Sequence, residues 1–256
     1  MTEHRLPRHL LSSPIRILVV GCGGTGSAVA GLLPYLHQAM VAFGHAGLRV
    51  TVADGDRITS ANCVRQPFGR SEIGLFKCVV LVNRINLFWG FDWRAFPESL
   101  CPRHSVKDFD VVLGCVDTRA SRGLIHKLVT AKQSRVTYWL DLGNTESGGQ
   151  YILGQPLNPA TRRFEERLPS VAEMYPELID GTKDDPDLPS CRAVQSLERQ
   201  HPFINQLLAT HALGLLSRLF RYGRISRQGG FVSVASGRAN PLSVPSWPEP
   251  APPEHS

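Results

Sequence analysis

The chain has 256 residues, 42% of them hydrophobic and 20% charged, with a formal net charge of +6 at pH 7. This is the make-up of one large soluble globular domain, or one domain with appendages, long enough to bury a substantial core. Arginine is scattered without blocks, which suits an anionic ligand or an acidic partner and leaves no nucleic-acid footprint. No run approaches the roughly 18 apolar residues of a membrane span, and MTEHRLPRHLLSSP carries no apolar stretch of signal-peptide length, so the expectation is a cytoplasmic protein that meets no membrane. Cysteines 22, 63, 78, 101, 115 and 191 are dispersed without a C-x-x-C pair, which argues against a disulfide framework and a paired-cysteine zinc site.

Residues 1–14 read as an irregular lead-in ended by Pro14. Ile17 to Val20 then form a first strand that runs into Gly21, Gly23, Gly24 and Gly26, and a helix follows to about Phe43, with Pro34 set to kink or restart it. Strand, glycines and helix in G-x-G-x-x-G register open a nucleotide-binding half-fold. Gly21 allows the tight turn, Gly23 lets backbone approach a phosphate, and Gly26 lets helix lie close on strand. The register marks a phosphate or dinucleotide site without naming the nucleotide, and a ligand-free glycine turn is the plain alternative. GHAG at 44–47 is a turn, and LRVTVADGD is a second strand with Asp54 at its carboxyl end. An acid there holds a ribose hydroxyl, although Asp54 lies 28 residues past Gly26, against the usual roughly 20. A long first helix accounts for the difference; a plain turn residue is the alternative.

Asn62, Arg65 and Gln66 crowd a loop, and Lys77 falls in the first turn or two of a helix that begins near Ile73. Arginine grips phosphate oxygens in a fork and lysine meets them as a point charge. Alone, such a pair reads as a solvated surface; following a ribose-type acid, it reads as a phosphate site. A short third strand is expected near Trp93 to Phe96, and a fourth from Asp110 to Val116. Asp117, just beyond that strand, suits a magnesium ion shared with phosphate oxygens, or else an N-cap for the next helix. Arg122 on that helix reads as a surface residue. VTYWLDLGNTESGGQYILG is a strand, a glycine-rich loop and a return strand, with Asp141 and Asn144 at the strand's end. Residues 155–190 lack periodicity and read as a functional loop or mobile cover; they lead to Cys191 at a helical junction. An amphipathic helix covers about 200–222, GGFVSVASGRA is a strand, and the proline-rich residues from Pro241 read as a disordered tail.

Taken together, GCGGTG, Asp54 and Asp56 in VADGD, Asn62 and Arg65–Gln66 in NCVRQ, G-x-x-K ending at Lys77, and Asp117 in CVDTR resemble the ThiF, MoeB and ubiquitin-activating-enzyme family over residues 15 to about 155. RINLFWGFDW, WLDLGN and LPSCRAVQSLERQHPFINQ look most like the ThiF-like member of the PRTRC system, a set of bacterial genes of mobile elements, to about residue 235. The resemblance implies an α/β fold: a Rossmann-like doubly wound, mostly parallel sheet with helices on both faces and mixed C-terminal strands. One adenylation domain would cover 15–240, with 155–190 as its crossover loop and 241–256 as the tail.

The activity implied is adenylation, with ATP and Mg²⁺, of the C-terminal carboxylate of a ubiquitin-like or sulfur-carrier protein ending in Gly-Gly. Gly21, Gly23, Gly24 and Gly26 would approach the phosphates, Asp54 the ribose, with Asp56 and Gln66 in the same nucleotide-binding set. Asn62, Arg65 and Lys77 would neutralise phosphate charge, and Asp117 would hold Mg²⁺. Cys191 would accept the activated acyl group in a relative with a thioester or acyl-disulfide step; a small structural cysteine is the alternative. The family pattern also implies a homodimer. The absence of C-x-x-C pairs predicts no structural zinc, and Arg5 and Arg8 do not sit in a clear N-terminal helix of the kind that supplies an arginine to a partner. Two rivals share parts of the pattern: an NAD(P)-dependent oxidoreductase, which gives no reason for Arg65, Lys77 and Asp117 together, and a non-catalytic homologue that only binds a ubiquitin-like protein.

Overall fold

A computed structural model describes residues 2–184 and 201–246. In chain order its strands are β1 (His4–Arg5), β2 (Ile15–Val20), β3 (Leu48–Ala53), β4 (Arg94–Phe96), β5 (Val111–Gly114), β6 (Tyr138–Asn144), β7 (Gly148–Gly154), β8 (Arg224–Ile225), β9 (Arg227–Ser233) and β10 (Arg238–Ser243). The α-helices are α1 (Gly24–Ala42), α2 (Asn62–Arg65), α3 (Lys77–Trp89), α4 (Arg119–Val129), α5 (Val171–Met174) and α6 (Ile204–Tyr222). Eight strands form one sheet in the order β10-β9-β7-β6-β5-β2-β3-β4. From β4 to β6 the neighbours are parallel, and β7, β9 and β10 extend the sheet antiparallel. That is the doubly wound, mostly parallel sheet with mixed C-terminal strands that the sequence predicts.

Period-two alternation builds two layers of core. Ile17, Val19, Val50, Val52, Leu113 and Leu140 point into a cluster with Val29 and Leu33 of α1, Leu81 of α3 and Leu216 of α6. Leu18, Val20, Val112 and Trp139 point the other way, onto Ile125 and Leu128 of α4 and Val171 of α5. Helices therefore cover both faces, and the carboxyl edge of the central strands is left to loops. Among the described residues no helix is long and apolar enough to cross a membrane.

Four expectations are corrected. The lead-in is not irregular: His4–Arg5 pairs antiparallel with Arg224–Ile225, and Leu6 and Leu10 are buried. Two residues of strand are too short for a periodic signal, and their partner lies some 220 residues away. Helix α1 runs through Pro34 without restarting. The part of the crossover stretch that is described, 155–184, carries only short helical turns such as α5, yet it is tightly held. Buried Asn158 donates from Nδ2 to the carbonyls of Val129 and Val136, and Ser170 and Glu173 form a capping box. Polar side chains bonding to backbone do this work, and hydrophobic periodicity cannot register them. The predicted tail starts too early, since Pro241 lies within β10. That strand is the sheet's edge, where a residue without an N–H costs no ladder bond.

Candidate nucleotide site

Strand register brings the candidate residues together. Val20 lies level with Ala53 on one side and Gly114 on the other, so the chain leaves β2, β3 and β5 at one edge. Gly21, Asp54 and Cys115 are therefore the first residues beyond three adjacent strands. This is the crevice in which open α/β sheets hold their ligands.

The glycines are required for different reasons. Gly21 has φ +93°, and a Cβ there would fall 2.7 Å from the Cys115 carbonyl oxygen. At Gly26 a Cβ would stand 1.9 Å from the Gly21 carbonyl oxygen, so helix and strand can cross this closely only without a side chain. A Cβ on Gly23 would meet nothing within 4 Å, which leaves that side of the loop open to a ligand. Helix α1 starts at Gly24 with no side-chain cap and no acid in its first turn. Its unpaired N–H groups and the positive end of its dipole remain available to an anion.

Asp54 follows β3 directly and ties the loop down. One oxygen accepts from the Cys22 backbone N–H, the other from the Asp56 N–H at 2.7 Å. Burial pushes its carboxyl above the usual range, opposed by those two hydrogen bonds and by nearby Lys77. An ionised carboxylate accepts at about four lone-pair positions, so capacity remains for a ribose hydroxyl. Lys77 is the first residue of α3, its side chain 6% exposed, with Nζ 2.8 Å from Asp56 Oδ2. A buried cation at a helix N-terminus opposes the dipole. Such a breach of local rules is expected where function outweighs stability. Asn62, also buried, accepts at Oδ1 from the Thr59 N–H at 2.9 Å and hydroxyl at 3.1 Å, and so fixes the turn leading into α2. Arg65 closes that helix, and the Oε1 of the adjoining Gln66 is buried without a hydrogen-bond partner.

Asp117 is exposed beyond β5, and it is not the cap of α4. Thr118 is the N-cap, its hydroxyl oxygen accepting from the Ser121 N–H, while the Asp184 carboxylate takes the N–H groups of Arg119 and Ala120 at 2.9 Å each. The capping alternative for Asp117 therefore falls away. One exposed carboxylate just beyond the strand that neighbours β2 and its glycine loop fits magnesium, which takes one or two carboxylates and completes its shell with phosphate and water. Among the described residues no three His, Cys, Asp or Glu gather into an all-protein metal site. Cys191 lies outside the described residues. Cys22, Cys78 and Cys115 are buried; burial raises all three thiols, that of Cys78 to about 11, so none of them offers a thiolate near neutral pH.

Sequence reasoning missed two supports of this site. Arg122, read as a surface residue, is 4% exposed: its Nε donates to the fully buried Asp141 at 2.8 Å, and its two terminal nitrogens reach the carbonyls of Val116 and Leu178. It thereby fixes the strand end that carries Asp117 and binds the crossover stretch to it. Asn205, in the first turn of α6, contacts the glycine loop. Both contacts bridge distant segments, and neither has a local sequence signal.

The sequence matches the ThiF family over residues 6–233. Among curated proteins, "Adenylyltransferase and sulfurtransferase uba4" of Aspergillus fumigatus is 34% identical over 115 residues, 43% of this chain and 22% of that protein. The UBA4 protein of Candida glabrata is 30% identical over 43% of this chain and 24% of its own length. The chain thus matches under a quarter of the length of these relatives. Among solved structures, E. coli MccB with succinimide superposes with a TM-score of 0.59 at 14% identity, covering 93% of this chain and 66% of that one. PaaA gives 0.57 at 14% identity, covering 90% and 64%. At such identity these two structures establish the fold alone.

Proposed function

The chain belongs to the ThiF family, and we propose that it adenylates the C-terminal carboxylate of a ubiquitin-like or sulfur-carrier protein at the expense of ATP. The observation that carries this reading is the convergence at one sheet edge of an uncapped glycine-loop helix, the Asp54 carboxylate, the buried Lys77–Asp56 pair and the exposed Asp117. The Uba4 relatives, named as adenylyltransferases, support the same chemistry.

In this reading the N–H groups opening α1 hold phosphate oxygens past the open side of Gly23, and Asp54 accepts from the ribose. A carrier carboxylate oxygen attacks the α-phosphorus, the bond to the β-phosphate bridging oxygen breaks, and pyrophosphate leaves. Two anions meet in that step, so positive charge must already be in place; Lys77 and Arg65 supply it, and each such charge is worth about 10²–10³ in rate. A bound Mg²⁺, held by Asp117, would neutralise further phosphate charge. No general base is called for, because the attacking carboxylate is already ionised. Pairing with a second copy of the chain is part of the proposal.

The test is carrier-dependent exchange of labelled pyrophosphate into ATP. Exchange that requires Mg²⁺ and is abolished by Asp117→Ala, with carrier binding retained, supports the reading; full exchange in that variant would remove Asp117 as the metal's ligand. Transfer to Cys191 is a further step: its thiolate would attack the acyl-adenylate carbonyl and release AMP. A thiol-sensitive conjugate lost in Cys191→Ala would support that step, and an undiminished conjugate would remove it.

A further inference from the structure

The G-x-G-x-x-G register needs glycine at 21, 23 and 26, yet Gly24 is glycine too. A Cβ on Gly24 would fall 2.4 Å from Nδ2 and 2.9 Å from Cγ of Asn205, so that carboxamide occupies the space of the missing side chain. Asn205 is 6% exposed. Its Oδ1 accepts from the Thr25 hydroxyl at 2.8 Å and from Asn144 Nδ2 at 2.8 Å. With Oδ1 taken up by those two donors, the NH₂ group lies toward Gly24.

We infer that Asn205 is a positioning residue for the nucleotide: it clamps the first turn of α1 to the end of β6 and to α6, and so sets the aim of the N–H groups that receive phosphate. The inference rests on the glycine loop being a nucleotide site. Three segments meet at this one side chain. Thr25 belongs to the phosphate-binding helix, and Asn144 ends the strand paired with β5. Asn205 itself stands four residues past His201, whose N–H is bonded to the Glu146 carbonyl at 2.7 Å, so α6 is held to the β6–β7 turn at its start. An anion cradle made of backbone N–H groups works only while those groups keep their direction. On the side of Gly23 that lies open, nothing packs against the loop. The clamp comes from the far side of the helix, through a residue that sequence spacing cannot associate with the loop.

The experiment is titration calorimetry of the full chain with Mg–ATP and with adenosine, alongside thermal melting. Asn205→Ala is expected to weaken ATP binding about tenfold, the equivalent of one or two hydrogen bonds, with adenosine affected much less. Asn205→Asp keeps both acceptor bonds but puts a negative charge beside the cradle. It is expected to weaken ATP at least as much, again sparing adenosine, a contrast that a purely structural role would not give. Gly24→Ala should harm binding and melting in the wild type and do so far less in the Asn205→Ala background, where its methyl has room. Equal ATP affinity in wild type and Asn205→Ala, or equal harm from Gly24→Ala in both backgrounds, would overturn the role. A wild-type chain that binds no ATP would overturn the nucleotide reading as well, and is distinguishable from wild-type binding with unaltered variants.

Discussion

Replacing Arg122 by Met would show how the carboxyl edge of the sheet is held in place. Asp141 is 0% exposed, its Oδ2 has no hydrogen-bond partner, and its Oδ1 is held by Arg122 Nε at 2.8 Å. Arg122→Met would leave the carboxylate buried and uncompensated, a state that costs about 3–5 kcal/mol. For a domain of this size that corresponds to a fall in melting temperature of roughly 6–20 °C. The sign with pH follows from the same geometry. Burial raises the Asp141 carboxyl and Arg122 lowers it, so losing Arg122 raises it further. The folded variant then holds a proton that the unfolded chain releases. Its stability drops as pH rises from the ordinary carboxylate range toward the folded value, and the deficit against wild type is smaller at pH 5 than at pH 7. Arg122→Met with Asp141→Leu removes both charges and should recover most of the loss. Urea unfolding followed by circular dichroism measures all of this. A single variant within about 1 kcal/mol of wild type, or a double variant no better than the single, would refute the account of this pair.

Three further outcomes follow from the geometry. Gly26→Ala forces a methyl against the Gly21 carbonyl, so ATP binding should be lost by calorimetry, and a variant with wild-type affinity would contradict the loop's role. Lys77→Met should slow pyrophosphate exchange by about 10²–10³ while the fold persists, because the Asp56 left behind is largely exposed; a rate within about threefold of wild type would detach Lys77 from the chemistry. His4 is buried against the Tyr138 hydroxyl, and burial lowers its pKa from 6.5 to about 4. The unfolded chain therefore takes up a proton that the folded chain refuses. Stability should fall by about 1.4 kcal/mol per pH unit between pH 6.5 and 4, about 3 kcal/mol in all, and His4→Asn should flatten that slope. An unchanged slope in the variant would assign the dependence to other groups.

The parallel core was legible because it is built from local signals. Ile15–Val20 and Leu48–Ala53 are mostly apolar with Arg16 and Arg49 turned out, each is followed by glycine or acid, and α1 and α6 carry long apolar faces. The positions of the candidate site residues were legible for a related reason: Gly21 to Gly26, Asp54, Lys77 and Asp117 each stand at the end of an element, where the fold dictates position. What escaped depends on pairing across the chain. The bonds from Asp184 to the α4 N-terminus, the β1–β8 pair and the Arg122–Asp141 pair each join residues that no periodicity relates. Gly24 shows the limit most clearly. Its identity was visible and its place in the loop was legible, but the reason for it is a side chain that arrives from another helix.

Adenylation itself is read by intact mass spectrometry of a carrier protein ending in Gly-Gly, incubated with the chain, Mg²⁺ and ATP. The expected product is a carrier heavier by one adenylyl group, released by hydroxylamine, with pyrophosphate as the other product and no adduct in Asp117→Ala. An unmodified carrier with ATP turned over to ADP and phosphate, or tight NADH binding without any adduct, would contradict it.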